Sequence, residues 1–449
     1  MSIITGVAPL GLVGRRTAIE ARAVINRTRV GNCDRGATSE VVAMMNARGE
    51  TTTATERLDD SFFQDPQGLF ARLRSSAPVT PVITSEGVRV WLVTRYEDVR
   101  AALADPRVAK DWVTHMTPED FDINVDPVQA YLDQHMLNLD PPDHTRLRRL
   151  VVKAFTPRRV AALRPRISAV TDELLDAMTD GPAETELIEA FAFPLSVTVI
   201  CELIGIPVGD RESFRAWSET LLSSQGTRKE SRAAAVAMYE YFTRLVAERR
   251  REPADDLLSA LIAARDSGDS LSEHELLSMM FLLLVAGHET MLNLITNGVL
   301  ALLTHPAELK RLRDDPSLLP SAVEELLRYA NPLNHATERF TLEPVTIGDV
   351  TIPAKEWVML ASASANWDPS RFPDADRLDL GRDTSGHIGF GHGIHYCLGA
   401  PLARLEGEIA FGSLLSRFPE LKLATPETSL RWRPSSLIHG LEGLRIRLS

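Results

Sequence analysis

The stretch from Leu271 to Pro306 limits what this chain can fold into more than any other, because it reads as one very long helix that has to be buried. Ser272 and Glu275 have the spacing of a capping box, and Leu271 and Leu276 that of a hydrophobic staple. His305-Pro306 stops the helix after Thr304. At about 1.5 Å per residue it spans roughly 48 Å, enough to cross a whole domain. Its middle, Met279 to Ala286, is apolar on every side and must be surrounded by protein. Into that stretch the sequence sets Gly287, His288, Glu289 and Thr290. Polar groups are costly there unless they find partners, so a functional cavity beside them is expected.

Around this helix the texture is mostly helical. Pro81-Val-Ile-Thr84 and Val88-Arg-Val-Trp-Leu-Val-Thr94, split by Ser85-Glu-Gly87, give a hairpin signal. A second β-prone patch, Arg339 to Met359, reads as short strands turning at Gly348-Asp349 and Pro353-Ala354. From Tyr96 to Gly443 most other segments follow a helical period cut by Pro or Gly. The expected fold is mainly α with a minor β region, built as a single domain over residues 56–449. Residues 1–55 differ: up to Arg48 they carry seven Arg against three acids, without a sustained apolar period. They are expected to be a disordered extension; a targeting leader or a later start at Met44 or Met45 are the other readings.

Composition removes whole classes of function. A net charge of −12 and a pI near 5.5 argue against nucleic acid as a partner, because the summed field repels phosphate. Three cysteines, Cys33, Cys201 and Cys397, are too few for a disulfide framework and suggest a reducing, cytoplasmic compartment. The longest unbroken apolar run, Met279 to Gly287, is nine residues, against roughly 20 for a membrane span, so no membrane association is expected.

Several catalytic patterns fail on inspection. His288-Glu289 lacks the second His of a zinc protease, since Leu292 stands four residues on. No dinucleotide or phosphate loop is present. What remains is Phe390-Gly-His-Gly-Ile-His-Tyr-Cys397-Leu-Gly399, a cysteine just before a periodic helix in which Leu402, Leu405, Ile409 and Phe418 follow Leu398 on one face. At a helix start, free N–H groups and the helix dipole favour a thiolate. Gly391 and Gly393 let the loop fold tightly, and Gly399 leaves room for something flat against the helix.

This loop resembles the haem-binding loop of the cytochrome P-450 family, Phe-x-x-Gly-x-His/Arg-x-Cys-x-Gly, with every fixed position matched. Ala286-Gly-His-Glu-Thr290 is similar to that family's central-helix motif, Glu325-Leu-Leu-Arg328 to its Glu-x-x-Arg, and His144-Thr-Arg-Leu-Arg148 to its propionate-binding helix. The resemblance runs over roughly residues 57–449, in the style of soluble actinobacterial macrolide and secondary-metabolite hydroxylases. It implies the cytochrome P-450 fold, with the long central helix over haem b. Cys397 would be the axial iron ligand, whose electron push favours O–O cleavage. His144, Arg148, Arg339 and His395 would neutralise the haem propionates, and Ala286, Phe390 and Gly399 would line the cofactor. Glu289 and Thr290 would be the acid–alcohol pair that delivers protons during oxygen activation. Glu325, Arg328 and Arg377 would form the ion network under the haem loop, although Ala375 and Leu378 depart from the Pro and Phe usual around Arg377.

The implied activity is a haem-thiolate monooxygenase that inserts one atom of O2 into a C–H or C=C bond of a hydrophobic macrolide, polyketide or steroid-like metabolite. With no flavin or nicotinamide fingerprint in the chain, electrons would come from a ferredoxin and its NAD(P)H-linked reductase. A peroxide-driven peroxygenase and a non-catalytic haem sensor are the alternatives. Phe121, Ile123, Leu137, Val285 and Leu333 are candidate cavity-lining residues. Residues 143–166 hold Arg146, Arg148, Arg149, Lys153, Arg158, Arg159, Arg164 and Arg166 against Asp143 alone, a local field opposite to the global one and suited to an acidic electron donor.

Overall fold

The central helix forms as its ends dictate. In the computed structural model, which describes residues 56–449 except Glu86, 116–126, 223–226 and 267–270, it runs from Glu273 to Thr304. Ser272 accepts the Glu275 N–H at 3.1 Å and Glu275 accepts the Ser272 N–H at 2.7 Å, closing the capping box. The N-terminal extension, Phe121 and Ile123 lie outside the described residues.

The most apolar 18-residue window of this helix has mean hydropathy 1.4, so by length and composition it could cross a membrane. That corrects the impression left by its nine-residue unbroken run. However, 78% of the window is buried inside the protein, as befits a core helix. The helix Phe193–Ile204 crosses it at Gly287, where a Cβ would come within 2.5 Å of the Ile200 side chain. The helix Ala400–Arg417 reaches it at Gly298, against the Phe411 ring.

Beside this helical body lies a six-stranded sheet. Its order is Glu56–Arg57, Val79–Ile83, Arg89–Val93, Trp357–Leu360, Arg339–Thr341, Val108–Ala109. The expected hairpin is its core, pairing Val79 with Val93 and Ile83 with Arg89. The second β-prone patch contributes two of these strands and a separate hairpin, Val345–Ile347 with Val350–Ile352. Pairing of Ala109 with Phe340 brings Lys110 and Arg339 into one neighbourhood from positions far apart in sequence.

Two parts differ from the sequence expectation. A three-stranded sheet of Lys422–Leu423, Arg445–Arg447 and Glu184–Glu186 has strands too short to show a period. Residues 367–399 are irregular apart from one 3-10 turn at Gly393–His395, because Pro369, Pro373 and six glycines interrupt any helix.

The irregular segment is held by buried charge. On the helix Leu319–Tyr329, Arg328 donates to both oxygens of Glu325 at 2.7 and 2.8 Å, and neither side chain is exposed. Arg328 Nη1 also donates to the carbonyls of Asn366 and Ala375, both at 2.8 Å. The third guanidinium is not that of Arg377. Arg382 reaches Glu325 at 3.2 Å, whereas Arg377 offers only its carbonyl and leaves its side chain exposed. The reason is local: the Arg377 N–H closes a turn onto Asp374 that points the side chain outward.

Removing one partner of a buried pair costs on the order of 3–5 kcal/mol, so Arg328→Ala should accumulate as aggregated or haem-free protein. Arg382→Ala should lower the melting temperature, while Arg377→Ala should stay within about 0.5 kcal/mol of the parent. Thermal melts with haem quantification check this order.

Candidate active site

The cysteine loop is shaped by two glycines in the left-handed region, Gly391 at φ 74° and Gly393 at φ 75°. At Gly393 a side chain would also meet the Leu103 carbonyl at 3.0 Å. The turn lets the Cys397 N–H donate to the Phe390 carbonyl at 2.9 Å, just before the helix Ala400–Arg417 begins. Phe390 is buried. Burial pushes the Cys397 thiol up, while the N–H groups of Gly399 and Ala400 and the charges of Arg148 and Arg404 favour the thiolate. Cys397 nevertheless has accessible surface.

Four elements bring basic side chains to this region. His144 and Arg148 stand one turn apart on the helix Asp143–Ala154, His395 comes from the 3-10 turn, Arg339 from its strand, and Lys110 from the end of the strand Val108–Ala109. The His144 and His395 rings lie 4.3 Å apart. Arg148 donates to the Tyr396 carbonyl at 2.6 Å and Arg339 to the Val108 carbonyl at 3.1 Å. Lys110 is 2% exposed and donates to the Thr337 hydroxyl. Burial, then the nearby Arg339 charge, pushes the Lys110 ammonium down to about 7. His395 is pushed down to about 2 by burial and by Lys110, and Arg339 to about 10 by burial. Both ring nitrogens of His144, Nε2 of His395 and Nε of Arg339 are buried without hydrogen-bond partners. So many orphaned donors beside surplus positive charge call for an anion rich in acceptors. The sequence reading missed Lys110, because a lone lysine at a strand end looks like any surface lysine.

The central helix supplies the other wall. Most of it is buried, yet Ala286 is exposed and Val285 and Thr290 are only half-buried, so open space lies along this face. Thr290 donates to the Ala286 carbonyl at 2.7 Å and keeps its oxygen free to accept. Glu289, 3% exposed, faces elsewhere. Its carboxylate pairs with Arg433 at 3.0 Å and lies 3.6 Å from His288 Nε2. Desolvation works to raise its pKa, but His288 and Arg433 outweigh it and hold the carboxyl at about 2. His288 in turn bonds Ser218 at 2.9 Å and the Leu284 carbonyl at 2.9 Å. Arg433 and Ser218 were invisible in sequence, being 144 and 71 residues from Glu289. Among the apolar candidates, Leu137, Val285 and Leu333 are all half-buried, and Leu333 bridges to Ile438, near the end of the chain.

Comparison with known proteins agrees with this geometry. The model of the family described as Cytochrome P450 matches residues 214–439. The chain is 53% identical over 394 residues to Cytochrome P450 107B1 of Saccharopolyspora erythraea, covering 87% of this chain and 96% of that protein. It is 46% identical over 386 residues to the mycinamicin IV hydroxylase/epoxidase of Micromonospora griseorubida, covering 84% and 96%. The structure of the tirandamycin C-bound P450 monooxygenase TamI superposes with a TM-score of 0.81 at 48% identity, covering 88% of this chain and all of that one. The chain belongs to the cytochrome P450 family. It is an oxidoreductase of the monooxygenase type, with haem b as its cofactor, and the sensor reading falls away.

The residues present fit that cofactor. Haem b carries two carboxylates, which the orphaned nitrogens of His144, His395 and Arg339 and the charges of Arg148 and Lys110 can satisfy. Such a dianion favours the charged form of Lys110 and moves its titration above 7. The attraction is present while the ammonium keeps its proton and is lost as pH rises beyond that. Haem transfer to excess apomyoglobin should therefore accelerate between about pH 7 and 10. Lys110→Met should transfer haem fast at both ends, on the order of tenfold above the parent at pH 7. Equal rates at pH 7 would remove Lys110 from the cofactor site.

Proposed function

We propose that residues 56–449 form one catalytic domain that inserts an oxygen atom of O2 into a C–H or C=C bond of a hydrophobic, polyketide-like metabolite, in the cytoplasm. Electrons come from a ferredoxin and its reductase. The observation that carries this reading is the open face at Ala286 and Thr290 in an otherwise buried core helix. The relative named for both hydroxylating and epoxidising mycinamicin IV supports the two bond types. Haem, held through the Cys397 sulfur, would supply the oxygen-activating chemistry.

The chain's own residues then divide the work. His144, Arg148, Arg339, His395 and Lys110 hold the carboxylates of the cofactor, while Ala286, Phe390 and Gly399 leave space for its plane. The Thr290 hydroxyl orients water and passes protons inward. Glu289 serves the same route, with a constraint absent from the sequence reading. Ionised and paired with Arg433, it can pass a proton inward only after releasing that partner and taking a proton up from water. Thr290→Ala should thus keep oxidising NADPH while releasing peroxide, with product per NADPH falling on the order of tenfold. Unchanged coupling in that variant would exclude Thr290 from proton delivery.

The basic segment is reshaped by folding. Arg146 pairs with Glu275 and Asp143, Arg159 with Asp255, Arg164 with Glu408 and Arg166 with Glu202. Arg149 and Arg158 are exposed, with no carboxylate partner among the described residues. We assign the donor's docking charge to these two. Arg149→Glu with Arg158→Glu should slow ferredoxin-driven reduction several-fold at low salt and leave substrate-binding spectra unchanged. The difference should shrink as ionic strength passes about 0.1 M, where the Debye length is roughly 10 Å. Reduction rates indifferent to both charge reversal and salt would place docking elsewhere.

A further inference from the structure

Two consecutive glutamates on the helix Leu319–Tyr329 serve different networks. Glu325 belongs to Arg328 and Arg382. Glu324 belongs to a second network that the haem fit does not use. Its Oε2 accepts from His387 Nε2 at 2.9 Å and from Arg404 Nη2 at 3.0 Å, and its Oε1 accepts from Arg404 Nε at 2.5 Å. His387 Nδ1 accepts the Gly389 N–H at 3.1 Å, which leaves the ring proton on Nε2, facing Glu324. Arg404 lies over the Phe390 ring, 4.6 Å from its centroid, and the Phe390 carbonyl takes the Cys397 N–H. Glu324 therefore grips the cysteine loop through His387 on one side and Arg404 on the other.

The electrostatics are as specific as the contacts. Desolvation works to raise the Glu324 carboxyl, but hydrogen bonds from His387 and Arg404 outweigh it and hold the group at about 2. The bond to Glu324 is also the main reason the Arg404 guanidinium is raised despite burial. This is a fixed pair of opposite charges beside the loop, and Arg404 is one of the cations that favour a thiolate at Cys397.

We propose that Glu324 and Arg404 are positioning residues that set the charge balance at the Cys397 sulfur, and with it the ferric–ferrous potential of the bound haem. Arg404 stabilises negative charge on sulfur, Glu324 limits that effect by neutralising Arg404, and His387 fixes the carboxylate in place. The proposal rests on Cys397 as the iron ligand. One-electron reduction adds negative charge at the iron, so nearby positive charge favours the ferrous form.

The test is an equilibrium redox titration of haem-loaded, full-length protein, with the carbon monoxide spectrum recorded on each variant. Glu324→Gln should raise the potential, Arg404→Gln should lower it, and the double variant should return toward the parent. A role confined to propping the loop would displace Cys397 in both single variants and move both potentials the same way. Shifts of equal sign, or none, overturn the proposal. Should Glu324→Gln fail to load haem, Arg404→Gln carries the sign test, since its side chain is 36% exposed. An unchanged or raised potential there is equally fatal. Failure of the ligand assignment itself shows separately, as a parent protein whose carbon monoxide band lacks the thiolate position.

Discussion

The buried Glu325–Arg328 pair is the interaction on which the rest of the site depends. The chain from Trp367 to Gly399 has almost no regular structure, so its backbone polar groups find no helix or sheet ladder to join. Arg328 answers the carbonyls of Asn366, Ala375 and Arg377, and Glu325 accepts the Asp379 N–H. Asn366 continues the chain of contacts by taking the Ile388 N–H at 2.6 Å, two residues before Phe390. A buried ion pair is weak evidence of net stability, because desolvation offsets most of the attraction. Here it fixes one conformation of an irregular segment, and that conformation presents Cys397.

Charge around the cofactor region follows a different logic. The chain is acidic overall, yet Lys110, His144, Arg148, Arg339 and His395 converge with too few acids to answer them. Such a cluster opposes folding by itself, as the downward shifts of Lys110, His395 and Arg339 record. Two propionate groups placed there would turn that repulsion into binding free energy. Protein and cofactor are in this sense electrostatically incomplete without each other. The buried ammonium of the cluster, Lys110, is also its most adjustable member, because lysine changes protonation far more readily than arginine.

Much of this was legible in the sequence, and what was missed has a common cause. The central helix announced itself through Ser272, Glu275 and Pro306, which act within a few residues of where they stand. The cysteine loop did so through glycines whose backbone angles admit little else. Leu333 was expected to line the cavity, and its bridge to Ile438 adds a partner from near the end of the chain. The misses are contacts made across the fold. Arg382 rather than Arg377 reaches Glu325, because a turn at Asp374 sends one side chain outward and the chain's return brings the other in. Arg433 for Glu289, Ser218 for His288 and Lys110 beside Arg339 are likewise products of topology, with no local signature.

The central claim is that Cys397, presented by this loop, is the sulfur that holds the haem iron. The most direct measurement is the carbon monoxide difference spectrum of the reduced protein in Cys397→Ala, with Cys201→Ala as the control, since Cys201 is fully buried on the helix Phe193–Ile204. The account predicts the red-shifted Soret band of thiolate ligation in the parent and in Cys201→Ala, and its loss in Cys397→Ala. Persistence of that band in Cys397→Ala would contradict it.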